Sequence, residues 1–169
     1  MRNKLVTGLW ATIGLLIASG PLFAHHSDTW ADHTRLMTIT GTVTKHDLIN
    51  PHQVILLAVK DDQGKVTQWK LLGSNLMAMR QAAWTKDTLQ AGEQVTVSGF
   101  PSRDGRPVMT CVRMVRANGE ELPLTGHLNV TLKNFLEKHG KELPPAEYKV
   151  LKAFFDKFYD PSAGGGGAR

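Results

Sequence analysis

The sequence predicts a mainly β fold: a small five-stranded barrel of the OB type with one short helix between strands 3 and 4, followed by a C-terminal α-helical hairpin. Three observations lead to this prediction. Five short segments alternate or concentrate apolar residues as strands do, a helix-like segment separates the third from the fourth, and two segments of helical periodicity follow the fifth. Three strands, a helix and two strands is the element order of an OB-type barrel.

The first three strands form a meander. In the first, 36–46, threonines alternate with apolar residues, and Gly41 falls on the apolar side, where a missing side chain admits a close neighbour. The same alternation puts His46 on the threonine side and predicts that it is exposed. The second strand, 53–60, is apolar on both faces, and the third, 66–72, alternates again after an Asp- and Gly-containing turn.

The remaining barrel elements follow in order. A short helix is predicted at 76–84, capped by Ser74 or Asn75. Strands at 93–100 and 107–116 come next, joined by a hairpin turn. The barrel domain is therefore predicted to span 36–118.

A helical hairpin is predicted at 128–160, followed by a flexible Gly-rich tail at 161–169. Its second helix opens at Pro144-Pro145 and carries an apolar stripe. The members of that stripe are Leu151, Phe154, Phe155 and Phe158. We expect the hairpin to cover part of the barrel or to close on itself; the alternative is an element that docks a partner or faces a membrane.

The first 24 residues are typical of a secretory signal peptide. Arg2 and Lys4 precede an uncharged run that ends at Ala24, directly before polar residues. An uncleaved membrane anchor is the alternative, because about 20 apolar residues can span a bilayer. A Gly-Pro pair near the end of the run and the abrupt change in polarity favour cleavage. The exported chain then begins with a polar lead-in at 25–35 and is not expected to be embedded in a membrane.

Charge and motif content exclude several classes of function. The net charge is +5, from 20 basic and 15 acidic residues that are interspersed, whereas a nucleic-acid-binding protein usually shows a denser basic face. The sequence has no nucleophile elbow, phosphate loop or His-Glu-x-x-His motif, so we do not expect an enzyme. Cys111 is the only cysteine, which excludes an intrachain disulfide.

Histidines are the residues best suited to carry chemistry. Cleavage after Ala24 makes His25 the N-terminal residue, whose amine and imidazole can chelate one metal ion. One further imidazole completes a three-nitrogen site suited to copper. The candidates for that further ligand are His26, His52, His33 and His127. Cleavage one residue earlier would put His26 third in the chain, which is also a Cu(II)-binding arrangement. The predicted metal ligands are therefore His25, His26 and His52.

Structural roles for the same histidines stay open. His25 and His26 are also typical of a soluble lead-in, and His52 follows Pro51, which restricts the backbone on both sides of the bond. A histidine in that position often bonds a loop carbonyl. The competing hypothesis is therefore a non-catalytic module that binds a small ligand or an envelope protein. Its ligand-binding residues would be Asn50, Trp69 and Trp84.

Two further metal hypotheses have weaker support in the sequence. A copper oxidase with an N-terminal histidine needs an open substrate face, which the sequence does not reveal. Met109, Cys111 and Met114 supply soft sulfur ligands on the last strand. Strict alternation puts Cys111 and Met114 on opposite faces, which argues against a shared sulfur site.

The sequence resembles a family of small exported bacterial proteins defined only as a domain of unknown function, DUF6152. The resemblance covers about 25–115. The motifs that carry it are Ala24-His25-His26-Ser27, Gly41-Thr42-Val43, Asn50-Pro51-His52, Leu72-Gly73-Ser74, Trp84-Thr85, Leu89-x-x-Gly92-Glu93 and Arg103-Asp104-Gly105. It implies a periplasmic OB-like barrel and brings no established activity. The usual aromatic residue after His-His-Ser is present here only as Trp30, and the hairpin from Leu128 onward lies outside the shared region.

Overall fold

A computed structural model of the protein describes residues 29–124 and 126–159. The elements in chain order are β1 Met37–Asp47, β2 Val54–Lys60, β3 Val66–Leu72, α1 Leu76–Gln81, β4 Gln94–Pro101, β5 Val108–Arg116, β6 Glu121–Leu122, α2 His127–His139, a 3₁₀ turn Gly140–Glu142 and α3 Pro145–Phe158. The predicted fold class is confirmed. The predicted signal peptide, His25, His26 and the Gly-rich tail lie outside the described residues.

The strands close into a barrel through one short parallel contact. The order in the sheet is β3-β2-β1-β4-β5-β6, and β3 also pairs with β5. β1 serves two neighbours, because residues 37–42 pair with β4 and residues 42–47 pair with β2. An additional two-residue strand, β6, pairs with the edge of β5 that faces away from β4. This strand was not predicted from the sequence.

Gly41 directly precedes Thr42, the residue at which β1 passes from β4 to β2. Gly41 is buried, and a Cβ atom added there would lie 2.6 Å from the backbone oxygen of Ala58 on β2. A side chain at this position would therefore push β2 away from β1. The expectation that Gly41 admits a close neighbour is confirmed.

A β-bulge in β1 reverses the alternation that the sequence suggests. Val43 pairs with Leu57 and Lys45 pairs with Leu56, so Thr44 is an extra residue without its own partner on β2. One extra residue turns the following side chains to the opposite face. His46 consequently packs inward against Trp84 and is half-buried. The prediction that His46 is exposed on the threonine face is wrong for this reason.

A second bulge does the same in β5. Ser98 pairs with Arg113 and Gly99 pairs with Cys111, which leaves Val112 as the extra residue. Cys111 and Met114 therefore share the barrel interior, together with Met109. The inference that they face opposite sides is wrong, again because strict alternation was assumed. Burial raises the pKa of the Cys111 thiol, so the shared position does not produce a thiolate ligand.

The helical hairpin covers one face of the barrel. Phe100 and Val112 from the barrel form a second apolar cluster with residues of α2 and α3. The helical members of this cluster are Leu132, Phe135, Leu136, Leu151 and Phe154. The interpretation that the hairpin covers part of the barrel is thus confirmed: of the four stripe residues, Leu151 and Phe154 are buried in this cluster, while Phe155 and Phe158 pack against it and are partly buried. Among the described residues, no helix combines the length and apolar character needed to cross a bilayer.

Candidate functional site

The loop from β1 to β2 carries the tripeptide Asn50-Pro51-His52 at one end of the barrel. Asn50 and Pro51 are exposed and joined by a cis peptide bond, while His52 is half-buried. Gln53, the next residue, is fully buried. The side chains of this loop therefore pass from solvent to core within four residues, with the imidazole of His52 at the boundary.

The ring of His52 lies beside the ring of His127, the first residue of α2. Their centroids are 6.0 Å apart and the rings are inclined at 74°. His127 is exposed. With metal–nitrogen bonds of about 2.0 Å, two imidazoles on one ion have centroids about 5–6 Å apart. The observed spacing is close to that of two ligands of the same ion.

Backbone contacts explain why these two distant residues meet. The N–H of Gln53 donates to the backbone oxygen of Ser74 at 2.8 Å, which ties the His52 loop to the start of α1. Gly126 has φ +78° and packs directly on the Ser74 hydroxyl, where a Cβ atom would overlap it. Since Gly126 precedes His127, the same serine positions both histidines.

A buried polar contact lies beneath the loop. The side-chain amide of Gln53 lies 2.9 Å from Nε2 of His46. With the amide nitrogen as donor, Nε2 of His46 accepts, and the neutral imidazole carries its proton on Nδ1. The Gln53 side chain also crosses Gly73, where a Cβ atom would overlap its amide oxygen. This overlap accounts for the glycine in Leu72-Gly73-Ser74.

Trp84 supports this contact from the interior. Its ring meets His46 edge-on, with centroids 5.5 Å apart. The indole N–H donates to the backbone oxygen of Pro123 at 2.6 Å, and only 2% of the residue is exposed. The ring is therefore packed in the core, and its N–H group is already hydrogen-bonded within the protein. The structure does not support Trp84 as a ligand-binding residue, while Trp69 is half-buried against the same core.

Burial lowers the pKa of His46 from its ordinary value of 6.5. The carbonyls of Lys86 and Leu89 and the charge of Asp47 lie near enough to oppose this shift without cancelling it. The neutral imidazole is thus the form that the folded protein favours.

We expect stability to fall on acidification because of His46. The unfolded chain takes up a proton at about pH 6.5, while the folded chain takes it up only at lower pH. The stability that the folded protein gains from neutral His46 is therefore fully present above about pH 6.5. It is lost as the pH decreases toward the pKa of His46 in the folded protein. Urea unfolding of the wild type and His46→Gln between pH 5 and 7.5 checks this, because glutamine can accept from Gln53 without titrating. Parallel pH profiles for the two proteins would assign the acid sensitivity to other groups.

His33, another candidate for the further imidazole ligand, lies elsewhere. His33 and His139 line a cleft of about 250 Å³ together with Lys138. His139 ends α2 while His127 begins it, and a helix of this length separates its ends by about 18 Å. The structure therefore brings together His52 and His127, but not His33. Within residues 29–124 and 126–159, no three His, Cys, Asp or Glu side chains converge as a complete metal site.

The fold and the site define an OB-like barrel whose first interstrand loop presents a histidine to a second histidine on a covering helix. The profile of the family of unknown function DUF6152 matches residues 13–110, and the chain belongs to that family. The match includes the Asn50-Pro51-His52 loop and ends before His127. The resemblance found in the sequence is confirmed. No curated protein sequence matches the chain significantly.

Several solved structures are remotely similar. One is Rim1, the mitochondrial single-stranded DNA binding protein of S. cerevisiae, with 12% identity over 50% of this chain and 94% of that chain, at a TM-score of 0.40. Another is the S. pombe Stn1–Ten1 complex, with 16% identity over 70% of this chain and 77% of that chain, at a TM-score of 0.33. The strand order of the chain itself establishes the barrel.

Proposed function

We propose that this protein is exported to the periplasm and binds a transition metal ion there, most simply copper, through His52, His127 and the processed N-terminal residue His25. The observation that carries the proposal is the 6.0 Å separation of the His52 and His127 rings. Imidazole nitrogen is a preferred ligand of copper and zinc. Two such ligands fixed by the fold need only one or two more nitrogen atoms, which the amine and imidazole of His25 supply, with His26 as the alternative.

The lead-in gives the N-terminal residue a short tether. Trp30 accepts a backbone hydrogen bond from Arg103 at 2.9 Å, and Ala31 pairs with Ser102 beside the β4–β5 turn. His25 precedes Trp30 by five positions in the sequence, which limits the distance between them to roughly 17 Å. A residue joined to the barrel by so short a segment would have a high effective concentration at a partial site within that reach.

We propose binding without catalysis, because the sequence has no nucleophile elbow, phosphate loop or His-Glu-x-x-His motif. The basic residues are interspersed with acidic ones along the sequence. For that reason we do not extend single-stranded DNA binding from Rim1 to this chain.

The test is a Cu(II) titration, with electron paramagnetic resonance, on protein exported and processed through its own N-terminal segment. We expect one copper per chain in a nitrogen-rich site. His52→Ala and His127→Ala should each weaken it by at least tenfold, because loss of even an outer-shell partner costs about 10–100-fold. An extra residue before His25 should have a comparable effect.

The matched control is His139→Ala, which removes a partly exposed histidine from the opposite end of α2. Its copper affinity and spectrum should equal those of the wild type. If His52→Ala and His127→Ala also keep the wild-type spectrum and affinity, copper is bound by the N-terminal residues alone and the proposed site is wrong.

A further inference from the structure

A groove of about 480 Å³ lies beside the Asn50-Pro51-His52 loop, between that loop and α1. Its volume is within the range of small-molecule sites in proteins. The residues that line it are Asn50, Asn75, Leu76, Met77, Arg80 and Gln81. None of them belongs to the proposed metal site, although Asn50 shares its loop with His52.

The groove exposes apolar surface that the fold does not use. Met77 is 72% exposed on the short helix α1, and Ile49, next to Asn50 in the chain, is 50% exposed. The opposite side of α1 packs normally, since Met79 is fully buried. Met77 therefore exposes apolar surface in the groove itself, and Ile49 precedes the lining residue Asn50 in the chain.

The polar side chains of the groove are one guanidinium and three amides, of which Asn75 accepts the Ala78 N–H as the N-cap of α1. Arg80 makes no ion pair or side-chain hydrogen bond within the described part of the chain, and no carboxylate is among the lining residues. A guanidinium binds a carboxylate through two parallel hydrogen bonds. The side-chain amides of Asn50 and Gln81 add N–H donors at the same surface.

We infer that this groove binds a carboxylate attached to a short apolar chain. The carboxylate pairs with Arg80 and accepts from Asn50 or Gln81, while the apolar chain covers Leu76 and Met77. Free carboxylic acids and the C termini of peptides share this chemistry. The site needs no metal ion, so it stands independently of the copper proposal.

The test is calorimetric titration of the metal-free, processed protein with octanoate and with the tripeptide alanyl-leucyl-leucine. We expect at least one of the two to bind, and Arg80→Gln to weaken that binding at least tenfold. Met77→Glu, which puts a negative charge in the groove, should weaken it as strongly. Both positions are exposed, so neither variant threatens the fold.

The controls separate recognition of the carboxylate charge from hydrophobic binding, and they identify the source of the carboxylate. Arg35→Gln removes an exposed guanidinium outside the groove and should leave binding unchanged. Octanol and the C-terminally amidated tripeptide should bind at least tenfold more weakly than their acids. Preference for octanoate assigns the site to free acids, and preference for the tripeptide assigns it to peptide C termini. Failure of both acids to bind, or equal binding to Arg80→Gln, overturns the inference.

Discussion

Replacing Trp84 by alanine is expected to lower the free energy of unfolding by about 3–5 kcal/mol, the range for deleting a large buried aromatic side chain. The ring is 2% exposed and contacts His46. Its N–H donates to the carbonyl of Pro123, in the segment that leads into α2. The substitution therefore opens a cavity in the barrel and also releases the connection to His127. Urea unfolding followed by far-ultraviolet circular dichroism measures the effect without relying on tryptophan fluorescence.

The variant Trp84→Phe separates the contribution of ring packing from that of the hydrogen bond to Pro123. Phenylalanine keeps most of the packing and removes only the N–H donor, which leaves the Pro123 carbonyl unpaired at a cost of about 1–3 kcal/mol. We expect its stability to lie between that of the wild type and that of Trp84→Ala. A loss below about 1 kcal/mol for Trp84→Ala would contradict the buried position of this ring.

Replacing Phe154 by alanine is expected to cost a similar amount, about 3–5 kcal/mol. Phe154 is 1% exposed in the cluster between hairpin and barrel, and the guanidinium of Arg113 on β5 lies 5.7 Å from its ring centroid. Its ring also contacts Phe158 and Tyr159. The substitution therefore weakens the packing of the helical hairpin against the barrel, and not only the helix that carries Phe154. Urea unfolding again provides the measurement.

The matched control is Val150→Ala on the same helix. Val150 is 46% exposed, so its replacement should change the free energy of unfolding by no more than about 0.5 kcal/mol. If Phe154→Ala altered only the helical signal and left the unfolding of the barrel unchanged, the hairpin would be an independent unit. The shared cluster with Phe100 and Val112 predicts a single, coupled transition instead.

The sequence allowed the barrel to be predicted because period-two patterns and turn residues are local properties. The errors occur where a single extra residue shifts that period. Thr44 and Val112 are ordinary strand residues, and nothing in their side chains marks a bulge. His46 after the first bulge, and Met114 after the second, were therefore assigned to the wrong face.

The candidate site was only partly predictable for a different reason. His52 and His127 were both recognised as candidate ligands, but their proximity depends on contacts between segments far apart in the chain. The packing of Gly126 on Ser74 has no local sequence pattern. The groove at Arg80 was missed for the same reason, since an exposed arginine on a short helix is unremarkable until its neighbours in space are known.

The number of paired residues differs from one interstrand ladder of the barrel to the next, and the parallel contact between β3 and β5 is short. Only three residue pairs form it, Lys70 with Val108, Leu71 with Met109 and Leu72 with Thr110, whereas β4 and β5 share seven. Parallel pairing is also slightly weaker per residue than antiparallel pairing. The amide hydrogens of this seam should therefore exchange with solvent before those of the longer ladders β1–β2, β2–β3, β1–β4 and β4–β5. Because Leu72 leads directly into Gly73 and Ser74, transient opening of the seam would also loosen the residue that holds the two histidines together.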